Sequence, residues 1–178
     1  MQTKTKSKSK RWTLPRHKII TLLVGLILIP WTRLKYHIRV KRCPELRKRQ
    51  CLVIMNHQTA FDQFFVSMAA YPRPVYFVAS EDLFSLGLLS RLLRWAVAPI
   101  PIKKQTTDPR AVLDCLRVKK EGGTIALAPE GNRTYSGKTE FMLPTIAFLA
   151  KKLGLPIALY RIEGGYGVHP RWSDVVRK

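Results

Sequence analysis

Acidic residues are what this chain has least of. Eleven Asp and Glu stand against 32 Lys and Arg, a formal net charge of +21 over 178 residues and far more than solubility requires. Such an excess suits an anionic partner, either a membrane surface or a nucleic acid. No finger or RNA-binding motif is present, and a nucleic-acid role would explain neither the apolar amino-terminal stretch nor the pairing of His57 with Asp62, so nucleic acid is not expected as a partner. Cysteine is sparse as well. Cys43, Cys51 and Cys115 are odd in number and show no Cys-x-x-Cys spacing, which indicates neither a disulfide framework nor a zinc site. No metal is expected, and the thiols read as reduced structural groups in a cytoplasmic setting, Cys115 on an apolar helix face. Beyond the lysine-spaced tail there is no internal repeat.

Long apolar runs are also missing. Ile19 to Trp31 is uncharged and almost wholly apolar, flanked by Arg16, His17 and Lys18 and then by Arg33 and Lys35. Its 13 residues would extend about 20 Å as a helix, short of a hydrocarbon core of ~30 Å. The stretch is expected to lie in one leaflet, with a tilted span in locally thinned bilayer as the alternative. A secretory signal is disfavoured because Pro30-Trp31-Thr32-Arg33 is bulky and basic where a small-residue cleavage site would fall. Residues 1–15 then read as a disordered basic tail and 16–34 as a membrane-associated apolar helix. Residues 1–50 carry 15 Lys or Arg against the single Glu45. Each cation near an anionic surface adds about 1 kcal/mol, and positive flanks favour the cytoplasmic face for the rest of the chain.

With 46% hydrophobic residues, 35–178 has ample material for one domain. Strands are expected over 51–55, 75–79, 98–102, 124–128 and 157–162, and helices over 61–70, 83–95, 108–120 and 142–153, the third capped by Asp108 with Pro109 at its first position. Strand and helix alternate, so the fold class is α/β: a mostly parallel sheet flanked by helices. The apolar segment with Leu83, Phe84, Leu88, Leu89, Leu92, Leu93 and Trp95 is by default a core helix. In a lipid-handling protein it would instead face the membrane or line an acyl groove, with Arg91 and Arg94 at the headgroups.

Two strand ends carry chemistry. Asn56-His57-Gln58-Thr59-Ala60-Phe61-Asp62 follows the first strand and enters a helix, with Thr59 placed to cap it and Asp62 in its first turn. A carboxylate on one imidazole nitrogen fixes the tautomer and leaves the other free to take a proton from a hydroxyl. No serine or cysteine nucleophile lies nearby, so direct attack by a substrate hydroxyl is the natural chemistry. Alone, the segment reads equally as a capping box with a turn histidine. Pro129-Glu130-Gly131-Asn132-Arg133 follows the fourth strand: a tight turn with backbone amides toward a ligand, an arginine fork suited to phosphate, and Glu130 to hold that arginine or the loop. Its plain alternative is a solvated surface turn.

The pair His57-x-x-x-x-Asp62 and Pro129-Glu130-Gly131-x-Arg133 resembles the glycerolipid acyltransferase family. Ala98-Pro99-Ile100-Pro101-Ile102-Lys103-Lys104 looks like the family's second motif and Leu155-Pro156-Ile157-Ala158-Leu159 like its fourth, so the likeness covers roughly 35–172. It implies a glycerol-3-phosphate acyltransferase-like α/β fold and an enzyme that moves an acyl group from acyl-coenzyme A or acyl carrier protein to a lysophospholipid hydroxyl. The expected acceptor is 1-acyl-glycerol-3-phosphate, and no cofactor is implied beyond the thioester co-substrate. His57 would be the base and Asp62 its partner. Arg133, Lys104 and Lys103 would hold the acceptor's phosphate, with Glu130 and Gly131 also lining the substrate site. Oxyanion donors are expected among the backbone amides that open the helix after His57.

This sequence departs from the family where Lys104 replaces the usual arginine, which keeps charge but loses the bidentate fork, and at Ser80, Ala128 and Asn132. These departures leave another lysolipid, or an inactive membrane-associated relic, as alternatives. His169, in a glycine-rich loop over 164–172, is expected to serve that loop or to border the site. The family commonly continues with further strands and helices, so the domain is expected either to lack a carboxyl-terminal part or to be a minimal version, with an exposed sheet edge.

Overall fold

The computed structural model describes residues 11–41, 43–85, 87–103, 108–139, 141–169 and 171–173. In chain order it forms helix α1 (Pro15–Tyr36), α2 (Pro44–Lys48), strand β1 (Leu52–Met55), α3 (Asp62–Ala70) and β2 (Val75–Ser80). A 3-10 turn (Glu81–Ser85) then leads to α4 (Leu88–Ala96), β3 (Ile100–Ile102), α5 (Pro109–Lys120), β4 (Thr124–Leu127), α6 (Thr145–Leu153) and β5 (Ile157–Tyr160). The five strands form one sheet in the order β3-β2-β4-β1-β5. Every pairing is parallel, with Val53 opposite both Ala126 and Ala158. This is the expected α/β architecture.

Parallel strands are covered on both faces, which is why β1 and β4 read as unbroken apolar runs. Val53, Met55, Phe77 and Ala126 pack on one face with Leu46 of α2 and Val66 and Ala70 of α3. Leu52, Tyr76, Ile100, Ile125 and Leu127 pack on the other with Cys115 and Val118 of α5 and Leu149 and Leu153 of α6. Burial pushes the Cys115 thiol up to about 12, with Asp114 adding to the shift, so it stays a neutral core group. The edge strand β5 leaves Ile157 and Leu159 exposed.

The differences from expectation lie at element ends. Asp108 caps α5 as anticipated, accepting from the Arg110 and Ala111 amides at 2.9 and 3.4 Å. The helix expected over 83–95 is broken. Gly87 sits at φ +58°, and Ser85 and Ser90 hydroxyls donate to the Asp82 and Leu83 carbonyls, offering the backbone local alternatives to a continuous helix. The default of a core helix there also fails, because only Ser90 of α4 is buried while Leu88, Leu89, Leu92 and Trp95 are exposed. Strand 98–102 shortens to 100–102, since Ala98 turns to φ 42° and Pro99 offers no amide. Helix 142–153 starts at Thr145, because Pro144 disfavours helical geometry at Leu143.

The amino-terminal helix is longer than its apolar stretch. α1 has 22 residues, about 33 Å, and is long and apolar enough to cross a membrane by length and composition, so length alone no longer excludes a span. One face, however, lies on the domain. His17, Gly25 and Thr32 are buried there, and the Tyr71 hydroxyl donates to the Leu22 carbonyl at 3.3 Å. A Cβ on Gly25 would stand 2.3 Å from the Tyr71 ring. The opposite face exposes Ile19, Leu23, Leu26, Ile27 and Leu34 beside the exposed leucines of α4. Residues 1–10 of the expected tail lie outside the described residues. Next to them Trp12 N donates to Glu121 at 2.9 Å, Thr13 N at 2.6 Å and Thr13 Oγ1 at 2.9 Å, so the chain is held just before α1 begins at Pro15.

Burial works to raise the Glu121 carboxyl, but the bonds from Thr13 and Trp12, with Arg11 nearby, hold it below its usual value of 4.5. A depressed carboxyl stabilises its contacts at neutral pH and loses them as pH falls through the folded value. Trypsin cleavage after Arg16 and Lys18 should therefore be slow at pH 7. It should accelerate several-fold in Glu121→Ala, and the protection of the Trp12 and Thr13 amides relative to their intrinsic exchange rate should be lost in the wild type only below pH 4.5. Equal cleavage of wild type and Glu121→Ala would show that Glu121 does not secure α1.

Candidate active site

The site grows from the carboxyl ends of β1 and β4, neighbours in the sheet, so both expected motifs emerge side by side at one edge. Asn56 extends the β1–β5 pairing through its side chain, donating Nδ2–H to the Ile162 carbonyl at 2.9 Å and accepting from Ile162 N at 2.7 Å. His57 follows, and its backbone is gripped from both ends by the loop after β4. Its amide donates to Glu130 Oε1 at 3.0 Å, and its carbonyl accepts from Thr134 N at 2.8 Å. Glu130 thus holds the histidine's main chain, whereas the sequence placed it on the arginine or on its own loop.

The His57 Nδ1 lies 2.8 Å from Asp62 Oδ2. The same oxygen accepts from Gln58 N at 2.7 Å and Thr59 N at 3.0 Å. Asp62 is fully buried, and the His57 side chain is 17% exposed. A buried carboxylate is tolerated only when its charge is matched by donors, and here three converge on one oxygen. Nδ1 is then the protonated nitrogen, and Nε2 keeps the lone pair that can take a proton from a hydroxyl.

One expectation fails and another narrows. Thr59 does not cap α3: its hydroxyl is buried without a described partner, and α3 begins at Asp62 with no side-chain cap bond. The expected oxyanion donors narrow to fewer of the amides in this turn. Those of Gln58 and Thr59 are spent on Asp62, and that of Asp62 points to the Thr59 carbonyl at 3.5 Å. An ionised carboxylate is a stronger acceptor than a hydroxyl and collects the amides first.

Gly131 makes the turn after β4 at φ +70°, in the left-handed region that glycine enters without penalty, with its amide on the Ala128 carbonyl at 3.2 Å. Arg133 Nη1 meets both the carbonyl and Nδ1 of His169 at 3.1 Å, and the His169 ring lies 5.9 Å from that of Phe61. The glycine-rich loop thus borders the site. A Cβ on Gly165 would come within 3.3 Å of Gln58 and Thr59, so the loop lies directly on the turn after His57. His57, Asp62, Glu130, Gly131 and Arg133 are brought together. Lys103 is not among them: it leaves β3, two strand positions from β4 and three from β1, or about 10 and 14 Å, with its amide on Asp108 at 3.3 Å. Lys104 lies outside the described residues. Asn56, Thr134 and His169 complete the site. Asn56, adjacent to His57, and His169, in the glycine-rich loop, carried local signals; Thr134 acts through a contact distant in sequence. Among the described residues no group of three or more His, Cys, Asp or Glu is arranged to hold a metal.

The family model described as Acyltransferase matches residues 37–162. The chain is 24% identical over 131 residues to a chloroplastic 1-acyl-sn-glycerol-3-phosphate acyltransferase of Brassica napus, covering 70% of this chain and 36% of that protein. It is 22% identical over 167 residues to a chloroplastic enzyme of the same name from Arabidopsis thaliana, covering 89% and 44%. The chain thus spans less than half the length of these curated relatives. Among solved structures, the 1-acyl-sn-glycerophosphate acyltransferase PlsC of Thermotoga maritima shares the fold with a TM-score of 0.66 at 22% identity, covering 88% of this chain and 61% of that one.

Removing the Asp62 carboxylate strands two backbone amides and the imidazole. Asp62→Ala should lower unfolding stability by about 2–4 kcal/mol in chemical denaturation, and Thr59→Val, which removes only an unbonded hydroxyl, by less than about 1 kcal/mol. A destabilisation by Thr59→Val as large as that by Asp62→Ala would mean that Thr59, not Asp62, organises the turn.

Proposed function

The chain belongs to the acyltransferase family, and on that premise we propose that it transfers an acyl group from a thioester to the free hydroxyl of a lysophospholipid at a membrane surface. The observation that carries the reading is the 2.8 Å pairing of His57 Nδ1 with a fully buried Asp62. His57 Nε2 takes the proton of the acceptor hydroxyl as its oxygen attacks the thioester carbonyl carbon, and Asp62 stabilises the imidazolium that forms. The tetrahedral intermediate collapses with cleavage of the C–S bond, and the imidazolium returns the proton to the departing thiolate. An ester and a free thiol result, so no cofactor beyond the thioester donor is consumed. The donor is acyl-coenzyme A or acyl carrier protein, the latter an acidic partner suited to this basic surface.

The acceptor is 1-acyl-glycerol-3-phosphate and the product phosphatidic acid. Two curated relatives named for that substrate support this reading, as does Arg133, whose guanidinium has five N–H donors and uses one nitrogen on His169. Lys104, the cation that ends the second motif, is assigned to the same phosphate, and Gly131 lets the loop approach it. The exposed apolar faces of α1 and α4, ringed by Arg16, Lys18, Arg33, Arg91 and Arg94, support residence on the cytoplasmic face of an anionic membrane.

Membrane-reconstituted protein should be incubated with each thioester donor and a panel of lysolipids, and diacyl products followed by mass spectrometry. Product is expected with the phosphate-bearing acceptor, at a rate His57→Ala lowers about a thousandfold or more. Arg133→Ala should raise KM for that acceptor about tenfold with little change for an uncharged one. Absence of product from the folded wild type with every acceptor would overturn the activity, and preference for an uncharged lysolipid would overturn the acceptor.

A further inference from the structure

Beside the edge strand β3, three strand positions or about 14 Å from the strand that carries His57, a cleft of about 620 Å³ opens against the segment Arg11–His17. The charged side chains lining it are all cationic: Arg11, Arg16, Arg94 and Arg117. Three of them are already oriented. Arg16 Nε donates to the Trp95 carbonyl at 3.0 Å, the Arg94 guanidinium lies 4.6 Å from the Phe84 ring centroid, and Arg117 Nη1 is held by Asp114 at 2.8 Å. Asp114 offsets one charge and Glu121, which interacts with Arg11, a second, so the four arginines keep an excess of two positive charges and several guanidinium N–H groups beyond those bonds.

A buried polar group marks the same place. His17 lines the cleft at 1% exposure. Its Nδ1 meets the Tyr76 hydroxyl at 3.2 Å and the Leu14 amide at 3.4 Å. Its Nε2 has no hydrogen-bond partner, although the Trp95 backbone approaches it. The rim supplies a second chemistry. Within one turn of the Arg16–Trp95 contact, Ile19 of α1 and Leu92 and Trp95 of α4 are exposed. A free phosphate would have no use for that apolar rim. A phospholipid has both an anionic headgroup and chains to lay on it.

We propose that this cleft is a second lipid site, separate from His57, that binds the headgroup of an anionic bilayer phospholipid between Arg11, Arg16, Arg94 and Arg117 with its chains against Ile19, Leu92 and Trp95. The site rests on membrane residence but not on the chemistry assigned to His57. It gives the protein a reason to prefer acidic membranes beyond its overall charge.

The full chain, delipidated in mild detergent, is titrated with dioleoyl phosphatidylglycerol or dioleoyl phosphatidylcholine and the bound lipid counted by native mass spectrometry. One anionic lipid is expected to be retained at least tenfold more tightly than the zwitterionic one. Arg94→Gln/Arg117→Gln should reduce that preference roughly tenfold. Arg49→Gln/Arg161→Gln, which removes the same charge from positions paired with Glu45 and Glu163, should leave it unchanged. Arg11→Gln, a change at an exposed position, reads the same site by a severalfold loss if the double variant fails to fold. Equal losses in both double variants, equal affinity for the two lipids, or displacement of the lipid by millimolar inorganic phosphate would each overturn the proposal. Acyl transfer to dispersed lysolipid, measured in parallel, should persist in the arginine variants, so a failure of this site is distinguished from a failure of the catalytic reading.

Discussion

One carboxylate oxygen organises this site. Asp62 Oδ2 accepts from His57 Nδ1 and from the Gln58 and Thr59 amides, all within 3.0 Å, at a position closed to solvent. The chain between His57 and Asp62 is thereby wound around a single buried charge, and the geometry of the turn and the tautomer of the base become the same constraint. A carboxylate buried with fewer donors would tend to protonate, and the imidazole would lose the acceptor that fixes its proton. What the sheet contributes is neighbourhood: β1 and β4 lie side by side and parallel, so the loop after one can hold the histidine backbone produced by the other.

Because the two loops lock onto each other, the arginine and the base share one frame. Thr134 bonds the His57 carbonyl, the residue before it is Arg133, and Arg133 in turn rests on His169, whose ring faces Phe61. The glycine loop closes this circuit, since Gly165 lies so near Gln58 and Thr59 that a Cβ there would crowd both at 3.3 Å. Such cross-bracing holds reacting groups in place before substrate arrives, the condition under which electrostatic and acid–base contributions to catalysis are largest. At the other extreme of the molecule, α1 and α4 leave their leucines uncovered, which is costly in water and natural at a bilayer surface.

The sequence carried the layout well because the layout is periodic. Buried parallel strands are short apolar runs, and the cap at Asp108 is a local event among consecutive residues. The reading faltered wherever several groups compete for one partner. Thr59 looked like a cap, but competition for the amides was settled by the charge on Asp62 three residues later. Glu130 read as a holder of Arg133 or of its own loop, and no local pattern showed that one of its oxygens takes an amide 73 residues away. The leucines of α4 spell a core helix to any periodicity argument, and only the tertiary placement shows that nothing in the described structure covers them. The arrangement of the His57 and Asp62 side chains was legible, whereas the oxyanion donors were not, because amide availability is decided by the finished hydrogen-bond network.

The most direct test of this account is the protonation pattern of the His57 ring in the wild-type protein. With four histidines in the chain, selective 15N labelling and assignment by His57→Ala make the ring resolvable by NMR. The account predicts that the neutral imidazole carries its proton on Nδ1, slow to exchange because it is held on buried Asp62, and leaves Nε2 unprotonated. A proton found on Nε2, with Nδ1 bare, would contradict the account, for the base would then face Asp62 rather than the substrate.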